Sequence, residues 1–204
     1  MQNRTALITG SGKNIGRAIA LRLAKEGINL VIHGGTNRKA CEETAREAES
    51  LGVRTFVTLG DLAQRSEVGR ISREAKEAFN RVDVLIHNAA IRPHRDFMEI
   101  SDEEWDQVLE VNLGAAFQFC RHLIPGMLEH QWGRIITFAG INAIRGYPKS
   151  AHVSVSKHGA WGLVKALSRD FADQGITANT ISPGAILTER TSTREEAFIT
   201  KQAA

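Results

Sequence analysis

Three short stretches of this chain combine residue types that can do chemistry. TGSGKNIG, positions 9–16, has glycines at 10, 12 and 16, a spacing that lets the backbone turn tightly and approach a pyrophosphate at a helix N-terminus. A plain tight turn needs the same glycines, so the loop points to phosphate only with a strand before it and an amphipathic helix after it. Position 14 is Asn where a further close-approach glycine is expected, and Asn is among the few residues that tolerate a left-handed backbone. HGGTNRK, 33–39, offers Thr36, Asn37 and Arg38 and no carboxylate. With Lys13 these could surround a phosphate through charge-assisted hydrogen bonds, although Arg38 and Lys39 also suit the exposed first turn of a helix. AHVSVSK, 151–157, sets the β-branched, unreactive Val153 one helical turn before Lys157.

The elements that must position these residues alternate along the chain. Strand-like runs fall at 5–9, 29–33, 53–57, 82–86, 134–138 and 176–181, with helix-period segments between them. The first helix carries Ile15, Ala18, Ile19 and Leu23 and stops at Gly27, the expected end signal. A later helix opens on the capping pattern Ser101-Asp102-Glu103-Glu104 and runs toward Pro125. Alternation of this kind predicts an α/β fold: a doubly wound, Rossmann-like parallel sheet in three α/β/α layers. Ligands of such sheets bind beyond the carboxyl ends of the strands.

Those ends carry further candidates. Asp61 and Leu62 follow the third strand, His87-Asn88-Ala89-Ala90 the fourth, Lys157 the fifth, and Pro183, Gly184, Ile186 and Thr188 the sixth, while Asn112 lies within the Ser101 helix. Taken together and in order, these motifs resemble the short-chain dehydrogenase/reductase family over nearly the whole chain. The resemblance implies a nicotinamide dinucleotide laid across the strand ends. Gly10, Ser11, Lys13, Asn14, Ile15 and Gly16 would hold its pyrophosphate side, Asp61 and Leu62 the adenine, and Asn88, Ala89 and Ala90 the adenosine ribose and the central strand. Lys157 would bind the nicotinamide ribose, and Pro183, Gly184, Ile186 and Thr188 the nicotinamide. An NAD site usually has an acidic residue at the second strand end; its absence here, with Lys13, Asn37 and Arg38 present, predicts NADP(H) over NAD(H).

By the same resemblance, the catalytic set is Asn, Ser, Tyr and Lys, with the Tyr four residues before the Lys and the Ser thirteen before the Tyr. The Tyr is acid or base for the carbonyl oxygen, the Ser polarises it, the Lys lowers the Tyr pKa, and the Asn holds a relay water. Asn112 and Lys157 match, whereas Val153 and Gly140 stand at the Tyr and Ser positions. The only tyrosine, Tyr147, precedes Val153 by six residues and suits packing at a pocket wall. His152, Ser154 and Ser156 point away from the Val153 face. The expectation is an NADP(H)-dependent oxidoreductase on a small carbonyl, alcohol or enoyl substrate with an impaired proton donor. The alternatives are a non-catalytic dinucleotide-binding pseudoenzyme or scaffold, and a binding module for another ligand. Arg92, His94 and Arg95 could favour an anionic substrate or form a solvated loop.

Composition narrows the classes. At 204 residues, 42% hydrophobic and 24% charged, the chain can bury a full core and reads as one domain, 1–204, in which 189–204 forms a charged, partly helical tail. No run reaches the roughly 20 apolar residues of a membrane span, and the start lacks a signal-peptide layout, so a cytoplasmic protein without membrane partners is expected. The net charge of +3 is scattered rather than blocked, which argues against nucleic acid. Cys41 and Cys120 lack metal-ligand spacing, so no metal is expected. Surplus apolar residues on the helix 101–129 and the one beginning near His152 predict a homodimer or homotetramer.

Overall fold

The computed structural model describes residues 4–140 and 144–188; the tail expected at 189–204 lies outside them. Six strands, β1 (Thr5–Ile8), β2 (Asn29–Gly34), β3 (Thr55–Leu59), β4 (Val84–His87), β5 (Gly133–Phe138) and β6 (Ile176–Ile181), form one sheet in the order β3-β2-β1-β4-β5-β6. Every pair is parallel. The order reverses between β1 and β4, which opens a crevice at their carboxyl ends.

Among the described residues, six α-helices cover the sheet: α1 (Asn14–Lys25), α2 (Arg38–Glu49), α3 (Arg65–Phe79), α4 (Asp102–Leu109), α5 (Ala115–Glu129) and α6 (Ala151–Phe171). Strand side chains alternate between the two faces. Leu7 lies in register with Val31 and Leu85, and Leu85 with Ile135. This row packs against Ile71 of α3, Phe119 and Leu123 of α5 and Val164 of α6. The opposite row, Ile8 with Ile32 and Ile86, packs against Ala20 and Ala24 of α1 and Cys41, Ala45 and Ala48 of α2. Small residues on α1 and α2 let those helices lie close to the sheet, which places both of their N-termini at the crevice.

The expected strands are all present, but two start late. β3 begins at Thr55 rather than 53 because its pairing with β2 starts at Leu30↔Thr55, while Val53 is buried ahead of the ladder. β4 begins at Val84 rather than 82. The buried Asp83 instead accepts from Thr5 N through its carboxylate at 2.8 Å, and Arg81 pairs with it. The helix opened by Ser101, whose hydroxyl accepts from Glu104 N at 3.2 Å, has the expected extent but is interrupted. It passes through a π-helical turn at Glu110–Gly114 and continues as α5, with Pro125 inside it, to Glu129.

Candidate active site

The glycine loop is clamped from both sides. Thr9 Oγ1 accepts from the backbone N–H of Asn88 at 3.0 Å and of Ala89 at 2.9 Å, and Asn88 Nδ2 donates to the carbonyls of Thr9 at 3.0 Å and Gly10 at 3.2 Å. Ser11 Oγ donates to Ile8 O at 2.8 Å and accepts from His33 N at 3.1 Å. His33 in turn accepts at Nδ1 from Gly10 N at 3.4 Å, so its proton is on Nε2, which donates to Gly60 O at 3.1 Å. Ser11 and Asn88, named from the sequence as cofactor contacts, therefore use their side chains to brace the loop, and what they present to the crevice is main chain. Asn14 has φ +50°, the left-handed backbone its residue type allows. A Cβ on Gly16 would stand 2.2 Å from Gly10 O, so only glycine lets α1 start this close to the loop. Gly12 serves a different contact from the one expected: its Cβ would meet Cys41 Sγ at 3.0 Å, so it makes room for α2.

At the end of β2, Asn37 caps α2, its Oδ1 accepting from Ala40 N at 3.1 Å. Arg38 forms a loose i,i+4 pair with Glu42 at 3.7 Å, and Lys13 is the N-cap residue of α1. A cationic side chain thus starts each of the two helices that meet at the crevice. Asp61 is exposed and accepts from Ala63 N at 3.0 Å, while the Leu62 side chain is packed in the core. Past β6, Pro183, Gly184, Ile186 and Thr188 lie in a segment without regular structure.

The reactive corner lies where β4, β5, the π turn and α6 meet. The π turn, a feature frequently found at functional sites, places Asn112 fully buried. Its Oδ1 accepts from Ile91 N at 2.9 Å, and its Nδ2 donates to Ile91 O and to Ser156 Oγ, both at 3.0 Å. Ser156 Oγ donates onward to Val153 O at 2.8 Å. Both amide protons of Asn112 are thus taken by protein partners, while Oδ1, with one donor, keeps acceptor capacity. Val153 and Lys157 share one face of α6, 1% and 6% exposed. Burial, helped by the nearby Arg92 guanidinium, pulls the Lys157 ammonium down to about 8. Gly140 has φ +81°, and a Cβ there would meet none of the described residues within 4 Å. His152 turns away from this face, its Nε2 against Glu104 Oε1 at 3.1 Å, as its place on the helix required. Tyr147 is 52% exposed with its ring edge against His94, at 5.8 Å between centroids.

Sequence reasoning gave His33 and His87 no role and set Ser156 aside. His87 is buried at the end of β4, donates from Nε2 to Val111 O at 3.1 Å and receives the Thr9 hydroxyl at Nδ1 at 3.4 Å. Burial, with the Lys157 charge, holds it down to about 3, and burial holds His33 down to about 4. Histidines at the carboxyl ends of the strands flanking the glycine-loop strand were the available signal. Arg92, His94 and Arg95 do not act as one group. Arg95 pairs with Glu104 at 3.1 Å and His94 Nδ1 lies 3.4 Å from Ser150 Oγ, while Arg92 pairs with no carboxylate among the described residues. Among those residues no cluster is arranged to hold a metal, and no helix is long and apolar enough to cross a membrane.

A parallel sheet with a glycine loop at its switch point and a buried lysine across the crevice defines the doubly wound α/β proteins that take ligands at their strand ends. A family model described as short chain dehydrogenase matches residues 4–198, and the chain belongs to that family. It is 35% identical over 189 residues to a 3-oxoacyl-(acyl-carrier-protein) reductase of Staphylococcus epidermidis, covering 93% of this chain and 78% of the relative. It is 33% identical over 189 residues to an acetoacetyl-CoA reductase of Cupriavidus necator, with 93% and 77% covered. Among solved structures, a candidate NAD(P) dependent gluconate 5-dehydrogenase from Beutenbergia cavernae, with NADP bound at low occupancy, superposes at a TM-score of 0.90. It shares 34% identity, with 98% of this chain and 82% of that chain covered. The family's members are NAD(P)-dependent oxidoreductases.

Proposed function

We propose that this protein is an NADPH-dependent reductase of a small carbonyl or enoyl compound whose proton-donor site departs from the family pattern. The observation that carries the reading is the pairing, across one crevice, of a close-approach loop only Gly16 permits with the buried cation Lys157. The residues present fit a dinucleotide: the first turn of α1 takes no side-chain cap from Lys13, and the positive end of a helix favours an anion. When bound, the nicotinamide would supply a hydride. Lys157 would donate to its ribose hydroxyls, Gly10, Lys13, Asn14, Ile15 and Gly16 would surround the pyrophosphate, and Pro183, Gly184, Ile186 and Thr188 would bound the ring. Asp61, Leu62, Asn88, Ala89 and Ala90 would border the adenosine half.

Preference for the 2′-phosphate rests on Lys13 and Arg38 with no carboxylate at the end of β2. Arg38 reaches only a distant partner, Glu42, so its guanidinium can turn to a phosphate at little cost. We expect NADPH to bind at least about tenfold more tightly than NADH, the equivalent of one charge-assisted hydrogen bond. Calorimetric titration with both cofactors tests this; equal affinities reject the phosphate subsite.

The relatives' names support a substrate class. Two of them reduce 3-oxoacyl thioesters, and acetoacetyl-CoA is the natural probe. A second reading, a dinucleotide-binding scaffold without turnover, is favoured by one observation: Val153, where the resemblance puts a tyrosine, is buried and apolar. NADPH binding without oxidation by acetoacetyl-CoA would select it. The exposed side chains Phe117 on α5 and Val155 and Trp161 on α6 support assembly as a homodimer or homotetramer. With a small-molecule substrate and neither nucleic acid nor membrane as partner, the working location would be the cytoplasm.

A further inference from the structure

We propose that Lys157 is itself the proton donor of this site, its ammonium taking the place of the phenol and handing a proton to the substrate's carbonyl oxygen directly or through one water. The proposal rests on the reductase reading above and assigns a residue to its missing step.

Among the described residues, Ser154 has a buried hydroxyl without a partner but lies about 100° round α6 from the Val153 face, and the other candidate donors around the corner are engaged elsewhere. The Ser156 proton goes to Val153 O, and the Asn112 amide is tied to Ile91 and Ser156. The neutral His87 gives its N–H to Val111 O. His152 is turned into the seam with α4, against Glu104. Tyr147 is half exposed against His94, and Arg92 carries a guanidinium, which is no proton donor. Lys157 alone is buried with a protonated head that makes no hydrogen bond to a described residue. It lies one turn from Val153, on the face where the donor is expected. Valine is smaller than the ring it replaces, and no described residue lies within 4 Å of a Cβ built on Gly140, the other vacated position.

The electrostatics agree with that placement. Lys157 faces the cation Arg92, from the segment after β4, and the neutral His87. Of the carboxylates on elements packed against α6, Glu104 of α4 is held by Arg95 and His152, and Glu110 of the π turn by Arg65. Asp102, Glu103 and Asp106 of α4, and Asp173 after α6, are exposed. Arg134 of β5 is turned to the carbonyls of Gly133 and Gly175 at the far end of the sheet. On α6 itself His158, Lys165, Arg169 and Asp170 are exposed. With no carboxylate to hold its charge, a lysine desolvated beside another cation becomes a readier acid, and its value of about 8 lies near the range where donation is efficient.

The step balances. The carbonyl carbon accepts the hydride of the reduced nicotinamide and gains a C–H bond, and the π pair moves to oxygen. An Nζ–H bond of Lys157 breaks as the O–H bond forms. The products are the alcohol, the oxidised nicotinamide and a neutral amine, which solvent reprotonates.

Single-turnover oxidation of NADPH by acetoacetyl-CoA, followed across about pH 6 to 9.5, tests the proposal. Below its pKa the ammonium is available, so the wild-type rate should be level below about pH 8 and fall above it. Lys157→Arg keeps the cation but cannot release a proton, so it should retain NADPH binding, lose at least about 10²-fold in rate and lose the pH break. A Lys157→Arg protein with the parent's rate and pH break overturns the proposal while leaving the reductase reading standing. NADPH-saturated wild type that gives no turnover overturns both. If the variant binds no NADPH, ¹⁵N titration of Lys157 in the NADP-bound wild type decides. A midpoint coincident with the kinetic break supports donation, and a midpoint more than about one pH unit from it rejects donation.

Discussion

At the scale of single residues, two buried imidazoles tie the glycine loop to neutral-side pH. His33 and His87 each accept a hydrogen bond at Nδ1 from the loop and donate at Nε2 to a carbonyl, an arrangement available only to neutral histidine. Their folded values, about 4 and about 3, lie below the ordinary 6.5, so as pH falls below 6.5 the unfolded chain takes up protons that the folded chain refuses. Stability is therefore full above about pH 6.5 and is lost as pH falls toward the folded values, at about 2 kcal/mol per histidine between pH 7 and pH 5. Urea unfolding at the two pH values measures it, and an unchanged free energy would contradict the loop-clasp account. The vacated positions differ in what they tolerate. Gly140→Ser meets no described residue within 4 Å of its Cβ but keeps φ +81°, which costs a side-chain-bearing residue about 1 to 2 kcal/mol. Val153→Tyr must displace neighbours around a side chain that is 1% exposed, at about 1 to 3 kcal/mol. If it folds, the phenol lies one turn from the Lys157 ammonium. We expect Val153→Tyr alone to raise acetoacetyl-CoA reduction by at least about 10²-fold, and Gly140→Ser to add little. No gain in a Val153→Tyr protein that binds NADPH as well as the parent would mean that the corner no longer has the geometry for a phenol.

At the scale of elements, the π turn between α4 and α5 joins three parts of the site. Asn112 links it to the strand-end segment at Ile91 and to α6 through Ser156, and Val111 O receives His87. Asn112→Leu would leave the N–H and C=O of Ile91, a partly buried residue, without their present partners, and buried groups left unpaired cost about 1 to 3 kcal/mol each. A loss of about 2 to 5 kcal/mol in unfolding free energy is expected, together with weaker NADPH binding as α6 and Lys157 shift. A small stability change with an abolished rate would instead assign Asn112 a direct part in the chemistry.

At the scale of the whole molecule, some of the apolar side chains that the two cores leave outside lie on α5 and α6, while others, such as Phe97 and Met98, lie in the segment before α4. Phe117, Val155 and Trp161 are each more than a third exposed, with the Lys165 ammonium 4.1 Å over the Trp161 ring. Exposed apolar surface of this kind marks interaction sites. Light scattering at micromolar concentration should give a dimeric or tetrameric mass. Trp161→Glu together with Val155→Glu should lower it, and a monomeric wild type would remove these helices as an interface.

The sequence by itself determined the fold and its orientation. Strand runs separated by helical segments admit few solutions other than a parallel sheet, and the glycine spacing marks the strand whose end opens the crevice. Gly16 and Asn14 were legible because close approach and positive φ restrict residue type. Lys157, Asn112 and the altered positions Val153 and Gly140 were legible because α6 and the strand before it keep the family's spacing. The roles of Ser11, Asn88, Gly12, Asn112, Ser156 and the two histidines were decided only by tertiary structure. Whether a polar group at a strand end faces the crevice or braces the chain depends on partners 22 to 80 positions away, as with Ser11 to His33 and Thr9 to Ala89. The same holds for Lys157: a lysine has the same letter whether solvated or buried, and the burial, the nearby Arg92 and the missing acceptor that set its acidity come from elements brought together only by the fold.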